Sequence, residues 1–91
     1  MANPITTTGT TTDPISTQRI GGEPVSDWVS RHSTSVQSAT PSGNKLTTTW
    51  KSAAGDKKKD TVRQSGESDA DFLQRHVLEY VTAMLDAPPI S

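Results

Sequence analysis

The chain has 91 residues, no cysteine and a formal net charge of −1, with 30% hydrophobic and 4% aromatic residues. That length allows one small domain with a thin core, the near-neutral charge supplies no field toward nucleic acid or a membrane, and the lack of cysteine excludes disulfides, thiolate zinc sites and thiol catalysis while leaving the redox compartment open. No apolar run reaches membrane-spanning length and MANPITTTGTTTD lacks the basic and apolar regions of a secretory signal, so the cytoplasm is the default expectation.

In chain order, Asn3–Thr8 and Ile15–Ile20 can pair as a β-hairpin around Gly9–Pro14, although only Ile5, Ile15 and Ile20 are apolar there. The alternative is an N-terminal segment without structure. Gly21–Thr40 reads as a helix: Pro24 suits the first turn, and Val25, Trp28, Val29, His32, Val36 and Ala39 recur at helical spacing. Ser33, Thr34, Ser35 and Ser38 weaken its second half by offering the backbone competing hydrogen bonds. Thr40–Asn44 stops it and serves as a linker.

Leu46–Trp50 alternates, with Leu46, Thr48 and Trp50 on one face, as a strand does. Thr61–Gln64 is a second short strand, and Ala54–Asp60, which holds Gly55 and the run Lys57-Lys58-Lys59, reads as the turn between them. Ser68 then supplies an N-cap, with Asp71 three residues on in the place of the capping-box acid. Phe72, Leu73, His76, Val77, Tyr80, Val81, Met84 and Leu85 form a broad apolar helical stripe, ended by Pro88-Pro89.

The chain resembles itself. Displaced by 44 positions, Thr17, Arg19, Gly22, Glu23, Asp27, Arg31, His32 and Ala39 fall on Thr61, Arg63, Gly66, Glu67, Asp71, Arg75, His76 and Ala83, with Trp28 on Phe72 and Val29 on Leu73. Average composition gives roughly two identities over such a window. Upstream the displacement is 41, where Asn3-Pro4-Ile5-Thr6-Thr7-Thr8 meets Asn44-Lys45-Leu46-Thr47-Thr48-Thr49. The expected fold is therefore α+β: two tandem ββα units from an internal duplication, forming one antiparallel sheet with both helices on one face. Unit 1 spans 3–40, the linker 41–44, unit 2 45–85 and a tail 86–91. The alternative is one αββα domain behind an unstructured tail. The expected core is Leu46, Trp50, Val62, Phe72, Leu73, Val77, Tyr80, Val81 and Met84, with Val25, Trp28, Val29 and Val36.

Among the shared polar residues, Asp27–Arg31 and Asp71–Arg75 have the i,i+4 spacing of helix ion pairs; the sharper reading is an arginine held for a phosphate or carboxylate. His32 and His76 follow Trp28 and Phe72 by four, and the spacing suggests a partly buried imidazole packed on that ring and bonded at one nitrogen. A metal site would need both histidines with Glu23, Glu67, Asp27 and Asp71. Gly22-Glu23 and Gly66-Glu67 turn the chain into a helix start, and Arg19 and Arg63 reach back to an acid of their own unit.

No nucleophile elbow, zinc-protease helix or phosphate loop is present. The reading is a non-enzymatic interaction or assembly module without cofactor, in the manner of small phage or prophage structural or accessory proteins. Its partner is another protein or a second copy. One alternative is a nucleic-acid-binding module using Lys57, Lys58 and Lys59 at a hairpin tip with nearby arginines, which the flanking Asp56 and Asp60 disfavour. The other is a ligand or metal site between the units, built from Arg31, His32, Arg75, His76, Glu23 and Glu67.

Overall fold

A computed structural model describes residues 4–11 and 14–90. The order of elements is β1 (Ile5–Thr8), β2 (Ile15–Thr17), α1 (Val25–Gln37), β3 (Lys45–Ser52), β4 (Gly55–Val62) and α2 (Asp69–Asp86). The strands form one antiparallel sheet in the order β2-β1-β3-β4. The first hairpin is formed, so an αββα domain behind an unstructured tail is not the fold. Asn3, the expected start of the first strand, and part of the turn at 12–13 lie outside the described residues, as does residue 91 of the tail.

Register decides which residues become core. In the central pair Thr7 stands opposite Thr48, flanked by Thr6 opposite Thr49 and Thr8 opposite Thr47. Because side chains alternate between faces, Ile5, Thr7, Leu46, Thr48 and Trp50 share the face that carries the helices. All five are buried, and Trp28, Val36, Phe72, Leu73, Val77, Tyr80 and Met84 close over them from α1 and α2. Val29 and Val81 pack at the margin. Trp28 Nε1 donates to the Thr17 carbonyl at 2.8 Å, and Trp50 Nε1 to the Ala87 carbonyl at 2.7 Å, so neither buried indole leaves its N–H unpaired.

Val62 is a correction to the expected core. It pairs with Lys45 on the face that the helices leave open and is 62% exposed. The lysine run is a second. The tight turn is at residues 53–54, Gly55 takes φ +110° to leave it, and Lys57, Lys58 and Lys59 all lie within β4 opposite Trp50, Thr49 and Thr48. β4 is an edge strand, and lysine there guards unpaired backbone groups against pairing with another chain. Charge that looked like a turn is the composition of a protected edge.

α2 begins as its cap implies: the Ser68 side chain accepts from the Asp71 N–H at 3.2 Å. Pro24 is itself the N-cap of α1, in extended geometry at φ −62° and ψ 148°, rather than a member of the first turn. The serine and threonine run does not shorten α1. Ser33, Thr34 and Ser38 return their hydroxyls to the carbonyls four residues back at 2.9, 3.0 and 3.0 Å, inside the helical arrangement. The C-terminal residues are also held, by Ile90 N–H donating to the Lys51 carbonyl at 3.0 Å. No helix among the described residues is long and apolar enough to cross a membrane.

Candidate functional site

Two polar constellations involve the residues singled out by the sequence. The first is at the start of each helix. Glu23 leaves the sheet through Gly22, at φ +81°, and Glu67 through Gly66, at φ +78°, a left-handed geometry that glycine adopts without strain. Arg31 then grips Glu23 bidentately, Nε to Oε2 at 3.0 Å and Nη2 to Oε1 at 2.7 Å, and also donates to the Gln18 carbonyl at 2.7 Å. Arg75 repeats this on Glu67 at 2.8 and 2.8 Å and on the Val62 carbonyl at 2.6 Å, adding Glu79 at 2.9 Å. Each glutamate also accepts a backbone N–H, from Ile20 at 3.1 Å and from Gln64 at 3.0 Å.

The partner of each arginine is thus the glutamate eight residues earlier, not Asp27 or Asp71. A bidentate fork on a carboxylate that also holds backbone outweighs an exposed i,i+4 pair. The hydrogen bonds from Arg31 and Arg75 hold Glu23 and Glu67 well below the usual carboxylate range, at about 2. Arg19 Nε donates to the Glu23 carbonyl at 2.7 Å and Arg63 Nη1 to the Glu67 carbonyl at 3.2 Å. Arg63 also pairs with Asp69 at 2.7 Å and lies 4.8 Å over the Phe72 ring. These are ties between strand, turn and helix.

The second constellation is buried. His32 and His76 are both fully inaccessible, more deeply placed than the sequence suggested, and both ring nitrogens of each are hydrogen-bonded. His32 Nδ1 lies 2.8 Å from Thr17 Oγ1 and its Nε2 2.8 Å from Thr7 Oγ1. His76 Nδ1 lies 2.8 Å from Thr61 Oγ1 and its Nε2 2.7 Å from Thr48 Oγ1. Thr7 and Thr48 meet across the central strand pair at 2.6 Å. The result is one unbroken chain, Thr17–His32–Thr7–Thr48–His76–Thr61, through the middle of the protein.

The ring packed against the histidines is Tyr80, with centroids 5.9 Å from His32 and 5.3 Å from His76. Its hydroxyl meets Ser33 Oγ at 2.5 Å, and burial pushes it up to about 12. Burial, joined for His32 by the nearby His76, lowers both imidazoles to about 4, so they are neutral at ordinary pH. Around His76, Glu79 and Asp60 oppose that shift while Lys59 and Arg75 favour it.

Among the described residues no three histidine, aspartate or glutamate side chains are grouped so as to hold a metal ion. The histidines have both nitrogens bonded to threonine hydroxyls, and Glu23 and Glu67 bind arginine instead. Lys58 faces the open side of the sheet, and Lys59 lies 3.9 Å from Glu79. The sequence reading missed Thr7, Thr17, Thr48, Thr61 and Tyr80. Their signal was present: Thr17 and Thr61 open the shared T-x-R pattern, and Thr7 and Thr48 are equivalent at the displacement of 41.

Away from the sheet, α1 and α2 enclose an apolar groove of about 570 Å³. Val25, Val29 and Ser33 form one wall, and Val81, Met84 and Leu85 the other. None of its lining residues is charged, and Leu85 is 77% exposed. A scan against protein-family models matches nothing, and neither a search of curated proteins nor one of solved structures returns a similar chain.

Proposed function

We propose that this protein is a non-enzymatic interaction module built from a duplicated ββα unit, and that it docks an apolar segment of a protein partner in the groove between α1 and α2. The observation that carries this reading is the groove itself: a concave, uncharged surface with a large aliphatic side chain standing in water. The duplication is supported by contacts that recur at the displacement of 44, including Arg31–Glu23 with Arg75–Glu67 and His32–Thr17 with His76–Thr61. The polar residues with catalytic potential are engaged with one another, which supports a scaffold role for them.

The test is selection from a random peptide library, followed by mapping of the selected peptides on the amide spectrum. Apolar, uncharged peptides that shift Val25, Val29, Ser33, Val81 and Leu85, and lose binding with Leu85→Asp, are the expected result. Selected peptides that instead map to the open sheet face, or no selection at all, would contradict it. Concentration-dependent sedimentation with the same shifts would identify a second copy as the occupant.

A further inference from the structure

The buried chain cannot be symmetric in its protons. Between Thr7 and Thr48 there is one hydrogen bond, so one hydroxyl donates and the other accepts. If Thr7 donates to Thr48, its proton is used, and His32 must donate from Nε2 to Thr7. Thr48 then gives its own proton to Nε2 of His76. A neutral imidazole has one donor and one acceptor nitrogen. His32 therefore accepts at Nδ1 from Thr17, and His76 donates from Nδ1 to Thr61. If both rings carried Nε2–H, one of the two central hydroxyls would keep a buried proton without an acceptor, and such groups are rare and costly.

Either direction satisfies the middle, and the ends choose between them. Thr61 Oγ1 lies 3.3 Å from Glu79 Oε1, a carboxylate held by Arg75 at 2.9 Å and near Lys59 at 3.9 Å. An ionised carboxylate only accepts. Thr61 thus donates outward to Glu79 and receives from His76. At the other end, the residue displaced by 44 from Glu79 is Ser35, whose hydroxyl donates to the Arg31 carbonyl at 3.3 Å. Among the described residues Thr17 Oγ1 has no hydrogen-bond partner besides His32. In the reverse direction Glu79 would lose its threonine donor, and the Thr17 hydroxyl, 7% exposed, would have to turn outward.

We infer that the core is a proton-ordered chain running from Thr17 to Glu79, in which two equivalent histidines hold opposite tautomers, Nε2–H at His32 and Nδ1–H at His76, and Glu79 fixes the direction. Reversing it would require both rings to exchange tautomers and the intervening hydroxyls to turn together. Its only charged terminus is Glu79, beside Arg75 and Lys59 at the protein surface. The remaining charged group that acts on His76 is Asp60, which lies opposite Thr47 and is held there by Thr47 and Lys45.

Long-range proton–nitrogen spectra of the full chain, uniformly labelled with nitrogen-15 at neutral pH, read the tautomer of each ring. The expected result is Nε2–H at His32 and Nδ1–H at His76. The same tautomer at both rings, or the reversed pair, would overturn the inference. Glu79→Gln keeps an acceptor oxygen and is expected to keep the order. Glu79→Ala removes it and is expected to give mixed tautomers at both rings. Tautomers unchanged in Glu79→Ala would overturn the assignment of direction to Glu79. Should that variant fail to fold, the full chain and Glu79→Gln still decide.

Discussion

Mild acid is expected to destabilise this protein, and the two histidines carry the effect. Unfolded, each titrates near 6.5; folded, burial holds each at about 4. Their stabilising contribution is complete above pH 6.5, because both states are then neutral. It is lost as pH falls from 6.5 toward 4, where the unfolded chain binds protons that the native state refuses. Each pH unit below 6.5 removes about 1.4 kcal/mol per histidine. By pH 5 the pair has cost about 4 kcal/mol, against a total stability of about 5–14 kcal/mol for a chain of this length. That corresponds to a fall in Tm of roughly 15–30 °C. Carboxylates do not mimic it at pH 5: Glu23 and Glu67 are lowered from 4.5 to about 2 and Asp60 is lowered from 3.8, so their losses set in only as pH falls through those unfolded values. Thermal unfolding followed by circular dichroism at pH 7.5, 6 and 5, in constant salt, reads the effect. A Tm unchanged within a few degrees, or folded-state histidine resonances that titrate near 6.5, would refute the reasoning.

Further expectations follow from the packing. Thr48→Val keeps the shape but strips the hydroxyl between Thr7 and His76, and should lower stability by about 1–3 kcal/mol in denaturant titration. Phe72→Ala should cost about 3–5 kcal/mol, whereas Val62→Thr, on the open sheet face, should stay within about 0.5 kcal/mol. Gly9→Ala should be destabilising by more than about 1 kcal/mol in the same assay, because Gly9 sits at φ +94° with the Lys45 carbonyl where a Cβ would stand.

The legible parts of the fold were those fixed by local chemistry. The Ser68 cap, the apolar stripe of α2 and the Leu46–Thr48–Trp50 alternation are short-range patterns, and they stand in the structure as read. The extent of β4 was not legible, since an edge strand protected by lysine and a polar turn have the same composition. The partner of Arg75 was misread because spacing on one helix points to Asp71, while the turn through Gly66 brings Glu67 within reach. The histidines were marked by repetition, yet their role depends on Thr7 and Thr48, which are long-range neighbours across the sheet. Threonine in a threonine-rich stretch carries little information until register places two hydroxyls face to face.

The central claim is that the two halves meet with Thr7 opposite Thr48, joining His32 to His76. Cross-strand nuclear Overhauser contacts between β1 and β3 test it most directly. The account predicts contacts of Thr7 with Thr48, of Thr6 with Thr49 and of Thr8 with Thr47, together with contacts from the Thr7 and Thr48 methyls to the two imidazole rings. A pairing shifted by one residue would turn one of the two hydroxyls to the open face, and that result, or no contact between the strands, would contradict it.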